Sequence, residues 1–157
     1  MTDYSLENAL VNETKVRVKF KHRINNFGFF ISDLFENIEP DAKVDIPLYI
    51  AKFFLENKHC TLCNEIIQED IKNDIRANSS IINLSSMYSY FYYFVSNFYD
   101  KEYVIEIMFS RYNKLYTLIL KERLDEDDIF ILDATEKRII VEARRVYLIY
   151  RSYFINL

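Results

Sequence analysis

Residues that interrupt regular backbone are nearly missing from this chain: its 157 residues include one glycine and two prolines. A chain with so few places to reverse or stop is expected to form long helices joined by few tight turns. Half of the residues are apolar and 26 are Phe or Tyr, so those helices carry apolar side chains around much of their circumference. In Met87 to Tyr99 the run Tyr90, Phe91, Tyr92, Tyr93, Phe94 and Phe98 leaves almost no polar face. That helix is read as running through, or kinking at, Asp100 into Glu102 to Arg123. There Val104, Ile105, Ile107, Met108, Phe109, Tyr112, Leu115, Tyr116, Leu118, Ile119 and Leu120 again cover most sides. The acidic run Asp125 to Asp128 suits the start of a last helix, continuing to about Phe154 and longer than about 40 Å. Two nearly all-round apolar helices are more than a small monomer can hide, so burial against other chains is expected.

The first part reads differently. From Lys15 to Phe20 basic and apolar residues alternate, as in a half-buried strand; Phe27 to Ile31 around Gly28 is a candidate partner strand and Lys43 to Ile46 a third. Ser5 to Leu10 suits one helical turn. Pro47 fits the first position of a helix ending near Asn57, with Leu48, Ala51 and Leu55 on one face. A second helix is expected from about Asn64 to Asn78, acidic early and basic late, with Ile67, Ile71 and Ile75 inward. The fold class is therefore mostly α (α+β): a small β-rich module over residues 1–46, then a helical domain over 47–157.

Several chemistries lack their residues. Phosphate cradles need clustered glycines, and acyl-transfer triads need a histidine beside a nucleophile, whereas only His22 and His59 occur. The carboxylates fall on helix starts and polar faces. No catalytic residue, cofactor or metal ligand is assigned, and the chain is expected not to be an enzyme. Cys60 and Cys63 are read as two free thiols at the edge of a core rather than as half of a zinc site or a redox pair. A net charge of −4 and a pI of 5.3 disfavour direct phosphate-backbone binding by the whole molecule. No run approaches the roughly 20 apolar residues of a bilayer span, and Met1 to Leu10 lacks a secretion-signal layout, so an intracellular, soluble chain is expected. One basic edge stands out, Lys15, Arg17, Lys19, Lys21 and Arg23, with Phe20 and Phe27 nearby. Lys15, Arg17 and Lys19 are candidates for contact with a phosphate backbone or an acidic surface; the plainer reading is that they keep an edge strand from pairing with other chains.

The order of segments is specific. Tyr4-Ser5-Leu6-Glu7-Asn8-Ala9-Leu10, the strand Lys15 to Phe20, the lone Gly28 in Phe27-Gly28-Phe29 and Lys43-Val44-Asp45-Ile46-Pro47-Leu48-Tyr49-Ile50-Ala51-Lys52 follow one another. This resembles the opening of the Psf-three subunits of the GINS family, with their "YxSLDDIL" stretch, short basic strand, glycine turn and "KLELPLWLA". The likeness continues through Ile81-Ile82-Asn83-Leu84, the aromatic Tyr90-Phe91-Tyr92, and Leu132-Asp133 with Glu136, which looks like an "LDxxER" pattern. Departures are Tyr49 in place of the family Trp and a serine, Ser86 or Ser89, in place of the usual His. The resemblance implies a β-rich domain and a GINS-type helical bundle that packs with Sld-five, Psf-one and Psf-two. It further implies a nuclear, non-catalytic component of the replicative helicase, joined through the assembled complex to Cdc-forty-five and the MCM hexamer. Interface candidates are Tyr49, Phe53, Tyr88, Phe91, Tyr92, Phe98, Met108, Tyr112, Tyr116, Tyr147 and Tyr150. Alternatives from the residues alone are a self-contained helical adaptor or homo-oligomer, and a nucleic-acid-binding module using strand 15–23.

Overall fold

The computed structural model describes residues 6–28 and 37–155, and these form a mostly helical chain with one three-stranded antiparallel sheet. Two compact units divide it, Met1–Ile66 and Ile67–Leu157. The expected boundary at residue 46 is too early. Helix α2 (Leu48–Glu56) turns Leu48, Ala51 and Phe54 inward, and Phe54 meets Phe20 of the sheet edge-on at 5.2 Å, so α2 belongs to the first unit.

In that unit α1 (Leu6–Asn12) leads into β1 (Lys15–Phe20), which pairs with β2 (Lys43–Pro47) and with β3 (Cys60–Leu62) in the order β2-β1-β3. The alternation in β1 does what its period requires. Val16, Val18 and Phe20 are buried opposite Ile46, Val44 and Cys60 in turn, and Lys15 and Arg17 face outward. The basic strand is central, not an edge, so its charges have no edge to protect. Nor does the third strand come from Phe27 to Ile31: Phe27 and Gly28 carry no strand, and residues 29–31 lie outside those described. Its place is taken by three residues after α2. Pro47 closes β2 and precedes the helix rather than starting it.

Helix α2 ends in a Schellman motif. The Lys58 N–H donates to Leu55 O at 3.0 Å and the His59 N–H to Phe54 O at 2.9 Å, which places Lys58 at φ 60. A side chain is disfavoured there. Lys58→Gly is expected to stabilise the first unit by about 0.5–1 kcal/mol, read as a higher urea midpoint at unchanged slope.

The second unit begins with α3 (Glu69–Asn78), whose start is acidic and whose last turn carries Arg76, followed by a 3-10 turn over Ser79–Ile81. The long aromatic helix expected from Met87 is instead α4 (Leu84–Met87) and α5 (Phe91–Val95), then α6 (Lys101–Ser110) and α7 (Tyr112–Leu120). Asn83 caps α4 by accepting the Ser86 N–H at 2.9 Å. The last helix is also divided, into α8 (Glu126–Phe130) and α9 (Ala134–Ile155). The acidic run does start α8, where Asp125 and Asp128 form a capping box, and Lys121 bridges both carboxylates.

Leu115, Leu118, Leu132 and Ile140 form a buried cluster that joins α7 to α9. Arg144 fastens the same pair of helices by donating to the terminal carbonyls of α7, Leu118 O at 2.8 Å among them, and onward to Lys121 O and Glu122 O. A guanidinium at a helix C-terminus satisfies carbonyls that have no intrahelical partner and complements the helix dipole. Among the described residues no helix is long and apolar enough to cross a membrane.

Candidate functional site

At the joint between α6 and α7 Arg111 is buried completely. All five of its guanidinium N–H groups find acceptors. Nε reaches Glu136 Oε1 at 2.5 Å and Nη2 reaches Glu136 Oε2 at 3.0 Å. The other donors go to the carbonyls of Ser79, Ile82 and Ile131. Glu136 is equally enclosed and also accepts the Tyr92 hydroxyl at 2.8 Å and the Asp133 N–H at 3.3 Å. A buried ion pair with every donor and acceptor engaged escapes the cost of leaving a charge unpaired, and here it ties the 3-10 turn, α5, the α6–α7 joint and α9 together.

Asp133 opens α9. Its Oδ1 accepts the Glu136 N–H at 2.8 Å while Glu136 accepts the Asp133 N–H in return, a reciprocal capping box that explains why α9 starts afresh. Oδ2 faces the Tyr92 N–H at 3.5 Å. Burial dominates the environment of this carboxyl and pushes it up to about 6. The Tyr92 hydroxyl is pushed well above its ordinary range, first by burial and then by the Glu136 charge. Leu132, Asp133 and Glu136, the residues of the "LDxxER"-like pattern, are thus all interior. Arg111 was not singled out from the sequence, because its partners come from segments distant along the chain.

The interface candidates separate by exposure. Phe91 and Tyr92 are 0% and 5% exposed, so they are core residues and not surface contacts. Tyr88 and Phe98 are half-buried against Phe94, with ring centroids 3.9 and 5.5 Å away. The aromatic residues from Tyr88 to Phe98 are therefore all buried or half-buried in the second unit. Met108 and Tyr147 are also half-buried. Tyr112, Tyr116 and Tyr150 are exposed, as are Tyr49 and Phe53 on α2 of the first unit.

Around the exposed tyrosines the structure adds residues that the candidate set omitted. Ile105, Phe109, Tyr112, Tyr116 and Leu120 recur at helical spacing across α6 and α7, and Phe109 is 72% exposed. The Tyr112 and Tyr116 rings stack at 6.1 Å. On α9 a second stripe, Val146, Ile149, Tyr150 and Tyr153, is likewise exposed. These side chains lie outside a core that α7 and α9 have already closed between them.

The basic strand is balanced where it stands. Arg17 grips Asp45 with two hydrogen bonds of 2.8 and 2.7 Å, Lys19 meets Asp41 at 2.7 Å, and Arg23 meets Glu39 at 3.5 Å. Hydrogen bonding from Arg17 and Lys19 holds Asp45 and Asp41 below the ordinary carboxylate range. A phosphate approaching Arg17 or Lys19 would have to displace these partners; Lys15 is exposed beside Pro47 in the sheet register. Cys60 is buried in β3, and burial pushes its thiol up to about 11, which keeps it protonated and a poor nucleophile at neutral pH. Among the described residues no group of three or more His, Cys, Asp or Glu is arranged to hold a metal. No known family model matches the chain, and no curated protein matches it in sequence.

Proposed function

We propose that this chain is a non-catalytic structural subunit of a hetero-oligomeric assembly of the GINS type, in the position of Psf-three. The observation that carries the reading is the pair of exposed apolar stripes, on α6–α7 and on α9, beside a core that is already filled. Apolar, Tyr-rich helix faces of this kind suit burial against other helices, with the tyrosine hydroxyls left for the wet rim. The order of segments along the chain, from Tyr4-Ser5-Leu6 to Leu132-Asp133 with Glu136, supports the GINS assignment in particular. In that role the chain packs with Sld-five, Psf-one and Psf-two. It meets the MCM hexamer and Cdc-forty-five through the assembled particle, in the nucleus, and has at most indirect contact with DNA.

The test is co-expression with the Sld-five, Psf-one and Psf-two chains of the same source. A particle containing one copy of each is expected. Failure of all three to co-purify with it overturns the GINS reading. The same stripes would also serve a homo-oligomer, and subunit stoichiometry separates the two: copies of this chain alone would point to self-association.

A further inference from the structure

We propose that the buried cluster of Asp133, Glu136, Tyr92 and Arg111 takes up one proton as the solution acidifies, and that the helices it joins hold together more firmly with that proton bound. Two carboxylates and one guanidinium sit in this cluster, all fully buried. The guanidinium has no donor left for Asp133: two of its N–H groups go to Glu136 and three to the carbonyls of Ser79, Ile82 and Ile131. Asp133 therefore receives no N–H from the guanidinium and accepts instead the backbone N–H groups of Glu136 at the start of α9 and, at a long 3.5 Å, of Tyr92 in α5.

The other groups facing it are the Glu136 carboxylate and the Thr135 hydroxyl, which favours the ionised carboxyl as a donor but is outweighed by burial; the Lys114 ammonium on α7, which feels the Glu136 charge, donates to the Ser80 carbonyl. An excess buried negative charge without a cation is costly, and a proton is the smallest remedy. Asp133 is the member of the cluster that takes it, since the guanidinium is committed to Glu136.

The sign follows from the raised carboxyl. Stability from protonation is complete below the ordinary Asp value of 3.8 and is lost as pH rises through about 6. Asp41, Asp45 and Asp128 are shifted the other way, so their contributions are lost only as pH falls below that ordinary value.

The experiment is urea unfolding of the full chain at about pH 5 and about pH 7.5, with Asp133→Asn alongside. The unfolding equilibrium constant of the wild type is expected to rise about tenfold between the two, since the lower pH lies about one unit beneath the folded value. In Asp133→Asn this rise should disappear. Equal pH dependence in the two proteins overturns the proposal. Should the variant fail to fold, the wild type decides alone: stability that is flat, or that increases from the lower to the higher pH, overturns it.

Discussion

Replacing Arg111 by Met is expected to destabilise the second unit by about 3–5 kcal/mol, a large share of what holds a small domain folded. Methionine fits the volume, but it leaves the Glu136 carboxylate buried with only the Tyr92 hydroxyl and the Asp133 N–H as donors. It also takes the guanidinium donor from the carbonyls of Ser79, Ile82 and Ile131, although Ser79 O keeps the Ile82 N–H and Ile131 O the Leu84 N–H. The underpaired carboxylate and the Ile82 carbonyl each carry the cost of a desolvated polar group short of partners. Arg111→Met combined with Glu136→Leu should recover part of the deficit, because the uncompensated charge is then gone. Urea unfolding of the two single variants and the double variant measures this coupling. Single and double variants that add without interaction would show that the pair does not act as a unit.

Tyr112→Asp is expected to weaken association with partner chains at least about thirtyfold while leaving the far-ultraviolet helix signal unchanged. Tyr112 stands in the middle of the exposed stripe of α6 and α7 and stacks on Tyr116, so its side chain contributes little to the unit's own core. A carboxylate at that point must be desolvated when a partner covers it, and a central aromatic contact is worth about 2 kcal/mol or more. Co-purification and circular dichroism read the two effects separately. Undiminished assembly would remove Tyr112 from the interface.

Local patterns translated well from sequence to structure where one face of an element was clearly polar. The alternation Lys15 to Phe20 gives β1, Lys43 to Ile46 lies in β2, and Leu48, Ala51 and the charges of Glu69, Asp70 and Arg76 lead to α2 and α3. Pattern failed where apolar residues occupy every side. In Phe91 to Val95 every residue is apolar or aromatic, so period alone could not tell the buried Phe91 and Tyr92 from a surface contact, nor foresee that Phe109 would join Tyr112 and Tyr116 on the exposed face. β3 was missed because three residues are too short to show an alternation.

The helix breaks have causes of two kinds. The restart at Asp133 is local and legible, an Asp with Glu three residues later that forms a capping box. The joint at Arg111 depends on carbonyls and a carboxylate from segments distant in sequence, which no reading of neighbouring residues supplies.

If other chains cover the stripes on α6–α7 and α9, hydrodynamic mass reads it directly. Sedimentation of the purified chain, alone and after mixing with the proposed Sld-five, Psf-one and Psf-two chains, is the measurement. Alone, the chain is expected to self-associate and to bind an apolar dye, and both behaviours should vanish in a stoichiometric heteromeric particle. A monodisperse 19.0 kDa species that binds no dye, melts sharply and is unaltered by the other chains would contradict it.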